Sequence, residues 1–412
     1  MTPDSYYVIH NASNFILSDH HTFGHTWFFS AFYYLGKFLF NDIYGGIALY
    51  IIVQMLLMDL MFTYVISYFY NRNEKKSIIY VLVLFISLNP LYSHYSVTLW
   101  RDVLFGMSLL TIFLCLYKYV CNKFKIKLID IVVFTLSIII LLFFRNNGIY
   151  VLIFMTPFII YIGNKKILKS IYLISIIILY FIIKGPVFDY FNVEKGLERE
   201  SYSIPVQQVS RVIASKNEID KKDYEVLSKF YDIKRAEEYY NPILSDKMKE
   251  TINEKYLKEN KGKFLNTWFS LLKKYPNLYF EAYFTQTLGY WYPDVEYWAT
   301  ASESVSIFDE NIHSKPLLPK WLCNLIDKST SRKIPFSIFI WSIGTNFAIL
   351  VISTALTLFK KGRNHILYYI PFYSLWLTMM IATPVYAELR YVFGIFSTIP
   401  FMIIIPFLNE KK

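Results

Sequence analysis

"DVLFGMSLLTIFLCLYKYVC", residues 102–121, carries one acid at its start, one lysine near its end and no other charge. About twenty predominantly apolar residues are what a helix needs to cross a bilayer's hydrocarbon. Working outward, similar runs predict membrane helices at 43–70, 77–93, 102–121, 129–145, 148–163, 170–184, 336–359, 364–382 and 391–408. A lone run such as "IVVFTLSIII" would also fit the core of a soluble protein, but so many windows separated by short lysine-rich loops would not. The composition agrees, with 412 residues that are 55% hydrophobic and 19% aromatic and a mean hydropathy of +0.34. The expected class is all-α, a polytopic transmembrane helix bundle with a mainly helical extracytoplasmic domain.

The loops set the orientation. "NRNEKK" (71–76), "KYVCNKFKIK" (118–127), "NKKILK" (164–169), "KKGR" (360–363) and the terminal "NEKK" are basic and fall on alternate connections, which places them in the cytoplasm. "SLNPLYSHYSVTLWRD", "FRNNG" and "TPVYAELRY" then lie outside, with the polar segment 185–335 and the first 42 residues, whose one Lys or Arg is Lys37. The expected setting is a cell membrane, crossed several times, with the N-terminus outside and the C-terminus cytoplasmic. The net charge of +11 is thereby a matter of topology and not of nucleic-acid binding. Three cysteines, Cys115, Cys121 and Cys323, offer neither a disulfide framework nor a metal-binding pair. The skew toward Lys, Ile, Asn, Tyr and Phe is that of an AT-rich bacterial genome.

Four regions follow: an outer loop with an interfacial helix (1–42), transmembrane helices (43–184), an extracytoplasmic domain (185–335) and C-terminal transmembrane helices (336–412). Segment 23–40 is aromatic and carries polar residues, which suits a helix lying on the outer surface better than a span. Residues 1–4 read as though a helix ought to precede them.

Candidate chemistry collects on the outer face. The opening 27 residues hold Asp4, His10, Asp19, His20, His21 and His25, four of the seven histidines. A carboxylate there suits a general base toward an acceptor hydroxyl, and histidines suit a phosphate or a metal. A solvated loop with Asp19 as a helix cap explains the same residues. In "HYSVTLWRDVLF" (94–105), Arg101 and Asp102 enter an apolar helix at its outer end, as a phosphate grip or as an interfacial belt. "FFRNNGIY" (143–150) puts Arg145 and Asn146 between apolar runs, and "TPVYAELRYVFG" (383–394) joins Glu388, Arg390 and Tyr391. Three outer loops thus bring one arginine each to one face, as an anionic ligand would require. Trp291 and Tyr292 in "GYWYPDVEYW" fit a sugar-stacking platform or an interfacial belt. Asp59, near the middle of the first long helix, is costly in a membrane and reads as a buried hydrogen-bond partner.

"DSYY" in the first outer loop, then "HHTFGH" leading into an aromatic helix, and a late "ELRY" resemble the polytopic GT-C glycosyltransferases, whose relatives carry "DExYY … HPP". More closely, "PLYSHYSVTLWRDVLF", "RNNG", "YPNLYFEAYFTQTLGYWYP" and "PVYAELRY" resemble a family of largely uncharacterised bacterial multi-pass membrane proteins grouped with those enzymes. The resemblance implies a GT-C-like fold and transfer of a sugar from a polyprenyl-phosphate-linked donor to a cell-envelope glycan or lipid acceptor. It also implies Asp4 as the catalytic acid, Arg390 and Tyr391 as the late "RY", and His20, His21 and His25 at the "HPP" position. Ser5 stands where those relatives have a second acid, and Thr22 where they have proline. A divalent cation is the one cofactor the resemblance brings into view. Two other readings fit the same residues, a lipid-linked oligosaccharide transporter or flippase and a non-catalytic envelope-assembly protein.

Overall fold

The computed structural model of the chain describes residues 2–19, 22–72, 75–215, 219–299, 304–315 and 318–408. They form two compact units. The first comprises Met1–Glu194, Trp298–Leu375 and Leu389–Lys412, and the second Lys195–Tyr297 with Trp376–Glu388. The polar segment expected at 185–335 is therefore divided, its described residues from 298 onward belonging to the first unit.

The first unit opens with α1 (Pro3–Ser13), α2 (Phe23–Phe40), α3 (Ile43–Asn71), α4 (Lys76–Leu88) and α5 (Pro90–Ser96). It continues with α6 (Arg101–Cys121), α7 (Leu128–Phe144), α8 (Gly148–Tyr161) and α9 (Lys166–Ile182). The stretch read as an opening loop is thus helical. Pro3 has the fixed φ of a first helical turn, Asp4 favours the positive end of the dipole, and Tyr6, Val8, Ile9 and Ala12 bury one face.

Among the described residues, five helices are long and apolar enough to cross a membrane: Ile43–Asn71, Arg101–Cys121, Lys166–Tyr190, Ile343–Lys361 and Leu389–Phe407. The chain is a multi-pass membrane protein. The span expected at 77–93 is bent by 54° between α4 and α5. Pro90 pushes Asn89 out of helical geometry, and the Asn89 side chain accepts from the Leu91 N–H at 3.0 Å to start a new helix. Runs expected at 129–145, 148–163 and 364–382 form apolar helices of 17, 14 and 13 residues (Leu128–Phe144, Gly148–Tyr161, Ile370–Ala382), shorter than a full crossing.

Helix α6 is apolar on every side and is enclosed by its neighbours, with 94% of its apolar window buried. Its Gly106 meets the last span at Gly394. A Cβ at Gly106 would come within 2.8 Å of the Gly394 nitrogen, so this crossing requires glycine. Helix α3 is different. It buries one stripe, Ile47, Tyr50, Gln54, Met58, Phe62, Val65 and Phe69, at the three- and four-residue spacing of a single helical face, and leaves the opposite face bare. Asp59 is on the bare face, which overturns its expected burial. The polar group that α3 buries is Gln54.

The second unit is mainly helical. Helix Ser203–Ala214 packs Val206, Val209, Val212 and Ile213 against Leu227, Phe230, Phe264, Leu271 and Tyr279. Asp220 and Asp223 accept from the Lys274 ammonium at 2.5 and 2.6 Å and hold its pKa above the usual lysine range. The segment 383–388 belongs to this unit, where Val385 forms an isolated antiparallel bridge with Leu244. Gly289 donates to the Tyr386 carbonyl at 3.0 Å, and a Cβ on Gly289 would lie 2.3 Å from that of Ala387.

Candidate functional site

Within the first unit, the first turn of α1, the loop 97–100 and the start of α6 converge with the turn Leu389–Val392 on one narrow cleft. It is lined by Asp4, Val8, His25, Leu99, Trp100, Arg101, Asp102 and Arg390. Three of these, Asp4, Arg101 and Arg390, come from stretches nearly 100 and nearly 300 residues apart, and the fold brings them together.

Ion pairs organise the cleft. Arg390 donates from one guanidinium nitrogen to the Asp4 carboxylate, and Arg145 donates to Asp102, which is 1% exposed. Tyr391 lies beneath both guanidinium groups, its ring centre 4.3 Å from the Arg145 carbon and 5.2 Å from that of Arg390. A single aromatic ring thereby contacts two cations. Trp100 gives Arg390 a second ring at 5.5 Å and donates its indole N–H to the Thr2 hydroxyl at 2.6 Å, which ties the α1 N-terminus to the loop. Arg101 is half-buried and within electrostatic range of Asp4, Asp102, Arg145 and Arg390.

Each charge is delivered by a local rule. Arg145 follows the last residue of α7 in extended geometry, and Gly148 lets α8 start at once, because a Cβ there would strike the Leu141 carbonyl at 1.8 Å. Asp102 occupies the first turn of α6, where the helix dipole favours an acid.

A buried polar chain fixes the loop. His25 Nε2 and the Tyr50 hydroxyl are 3.0 Å apart, and Tyr50 donates to Gln54 Oε1 at 2.9 Å. Gln54 Nε2 in turn donates to the carbonyls of Ser96 and Thr98 at 2.9 and 2.6 Å. Two carbonyls of the segment that presents Trp100 and Arg101 are therefore held by a side chain of α3.

Beyond Arg145, Asn146 donates to the Asp19 carbonyl at 3.0 Å and accepts from Lys184 at 2.9 Å, while Lys184 also donates to the Asp19 carboxylate. Asp19 is thus an ion-pair partner, not the cap its position suggested. Lys184 was missed in the sequence because it closes an apolar run. Its signal is the one that marks the arginines, a cation at the end of an apolar helix away from the basic loops. A π-helical turn, Ile183–Val187, carries it. Lys184 is within electrostatic range of Arg101, so the Lys184–Asp19 pair neighbours the arginines of the cleft.

Of the opening histidines, the two among the described residues, His10 and His25, do not share a site. His10 stacks on Phe308 with ring centres 4.1 Å apart, His25 is buried against Tyr50, and His20 and His21 lie outside the described residues. Among the described residues no group of three or more His, Cys, Asp and Glu is placed to hold a metal ion.

The remaining candidates, Glu388, Trp291 and Tyr292, belong to the second unit. The Glu388 N–H donates to the Tyr290 hydroxyl at 3.3 Å, and Tyr290 itself is buried. Trp291 and Tyr292 are exposed and continue an exposed aromatic row from Phe280 and Phe284, with successive ring centres 6.3 Å apart.

A family model described as a family of unknown function (DUF6020) matches residues 2–412, and the chain belongs to that family. No curated protein and no solved structure gives a significant match.

Proposed function

We propose that this member of the DUF6020 family is an integral membrane glycosyltransferase with a GT-C-like fold that moves a sugar from a polyprenyl-phosphate-linked donor to a cell-envelope glycan or lipid acceptor. The observation that carries this reading is the cleft in which the Asp4 carboxylate is held by Arg390 beside Arg101 and the Asp102–Arg145 pair.

In the proposed reaction an acceptor hydroxyl gives its proton to the Asp4 carboxylate while its oxygen forms the bond to the anomeric carbon. The bond from that carbon to the donor phosphate oxygen breaks, and the electron pair leaves with the phosphate. Charge grows on the phosphate during this step, so pre-positioned guanidinium groups lower the barrier more than they stabilise the bound donor. Asp102 is the positioning residue for Arg145, and Tyr391 contacts both Arg145 and Arg390.

The location suits a donor anchored in a membrane. The cleft is at the Arg101 end of α6, and the basic loop 118–127 is at the other, about 30 Å away for 21 residues at 1.5 Å each. Basic loops mark the cytoplasmic side, so the reading puts the cleft and the N-terminus outside and the C-terminus inside. A transporter or flippase would need polar groups lining a path, and Asp59, the one acid well inside a span among the described residues, is on an exposed face.

Replacing Asp4 with Asn tests the reading. Transfer should be lost while insertion and folding remain, and retained transfer would remove Asp4 from the mechanism.

A further inference from the structure

We infer that helix Lys320–Thr330 of the first unit lies at the membrane surface and binds anionic phospholipid headgroups there. Its last turn is tied to the end of a span. Trp341 donates its indole N–H to the Ser329 hydroxyl at 2.8 Å, and both residues are buried. Asn346 donates to the carbonyls of Phe339 and Ser342 at 2.9 Å each, and the Ser342 hydroxyl accepts from the Thr345 N–H at 3.1 Å to start the span Ile343–Lys361. Ser329 is therefore held by a residue two positions before that span begins. The 19 residues of the span make about 28 Å at 1.5 Å each, close to the thickness of the hydrocarbon. A side chain bonded at its first turn stands at the level of the headgroups.

The side chains at that level have the make-up of an interfacial helix. Trp321 and Leu325, one turn apart, are exposed, and Lys328 continues the same stripe at the next turn, where a long stem can lie along the apolar surface and put its charge among headgroups. Phe336 and Phe339, on the way to the span, are exposed with ring centres 6.5 Å apart. Charge then selects the lipid. Residues 314–333 hold five Lys or Arg, namely Lys315, Lys320, Lys328, Arg332 and Lys333, against one acid, Asp327. The far end of the span carries Lys360, Lys361 and Arg363, which are enough to orient it, so a second basic cluster at the near end is surplus to topology. Basic residues beside a span attract anionic headgroups, each raising their local concentration about five-fold. The surface is independent of the cleft and of the transfer reading.

Fluorescence quenching in liposomes tests this. A bimane label is attached at Leu325→Cys in a full chain whose Cys115, Cys121 and Cys323 are replaced. The protein is reconstituted in phosphatidylcholine with a minor fraction of phosphatidylglycerol, and one or the other lipid carries bromine on its acyl chains. Brominated phosphatidylglycerol should report a local concentration at the label about five-fold or more above that of an equal mole fraction of brominated phosphatidylcholine. Lys320→Gln with Lys328→Gln should bring the ratio close to one while lipid quenching itself remains. Leu325, Lys320 and Lys328 are exposed, so the variants should fold, which a monodisperse profile in detergent verifies. Equal quenching by the two lipids in the parent, or a preference unchanged by the two lysine replacements, overturns the inference. So does quenching by aqueous iodide and by neither lipid, or protection from lipid and iodide alike, as a protein partner on this surface would give.

Discussion

Arg145, the first residue past α7, donates to Asp102 in the first turn of α6, and the pair is buried beside the ring of Tyr391. A buried pair of this kind is costly to break from one side, because the remaining charge has no partner. Asp102→Ala should therefore destabilise the protein by about 3–5 kcal/mol. Asp102→Ala with Arg145→Leu should cost less than the two single changes added together. Thermal unfolding in one detergent, read as a double-mutant cycle, measures the coupling. Additive losses would mean that the pair does not act as a unit.

Gln54 makes a separate prediction about how the loop is held. Gln54→Leu leaves the Ser96 and Thr98 carbonyls without their donor, at about 1–3 kcal/mol for each buried group. The loop carrying Trp100 should loosen first. Proteolysis near residues 97–100 at temperatures below global unfolding should rise in the variant and not in the parent.

The glycines separate crowded crossings from open ones. Gly106→Ala forces α6 away from the last span, because the obstructing atom is the Gly394 backbone, and should cost about 1–3 kcal/mol. Gly262, in helix Lys261–Lys274 of the second unit, has nothing within 4 Å of its Cβ position. Gly262→Ala should raise stability by about 0.5–1 kcal/mol through helix propensity alone. Opposite signs in one unfolding assay are the expected outcome.

Lys184→Met removes the cation that the sequence did not single out. In the transfer assay it should raise the donor KM about ten-fold or more while kcat changes less, as expected of a group that grips the donor without taking part in bond breaking. An unchanged KM would remove Lys184 from the donor site.

Much of this was legible in the sequence because it depends on period and charge. The span at 102–121 matches α6 to within one residue, and Arg101, Arg145 and Arg390, which the sequence singled out, lie near one cleft. The bend at Asn89–Pro90 was signalled by the proline but hidden by the apolar run around it. The Asp102–Arg145 pair joins residues 43 apart, and Arg390–Asp4 joins residues 386 apart. No local pattern carries such a pairing, since each acid has a self-sufficient local role as a helix-dipole partner. Asp59 misled for a related reason. Periodicity places a residue on a face, but it does not say which face is covered. Sequence also grouped His10 with His25, but they stand on separate helices, α1 and α2, and meet different neighbours, Phe308 and Tyr50.

The most direct measurement uses the purified full chain in proteoliposomes containing a polyprenyl-phosphate-linked sugar labelled in the sugar, with a membrane-derived glycan or lipid fraction as acceptor. The account predicts that the label moves to the acceptor while free polyprenyl phosphate appears in equal amount, and that both are lost in Asp4→Asn. Label that stays on the lipid phosphate but crosses between leaflets would contradict transfer and make the protein a carrier of intact lipid-linked sugar.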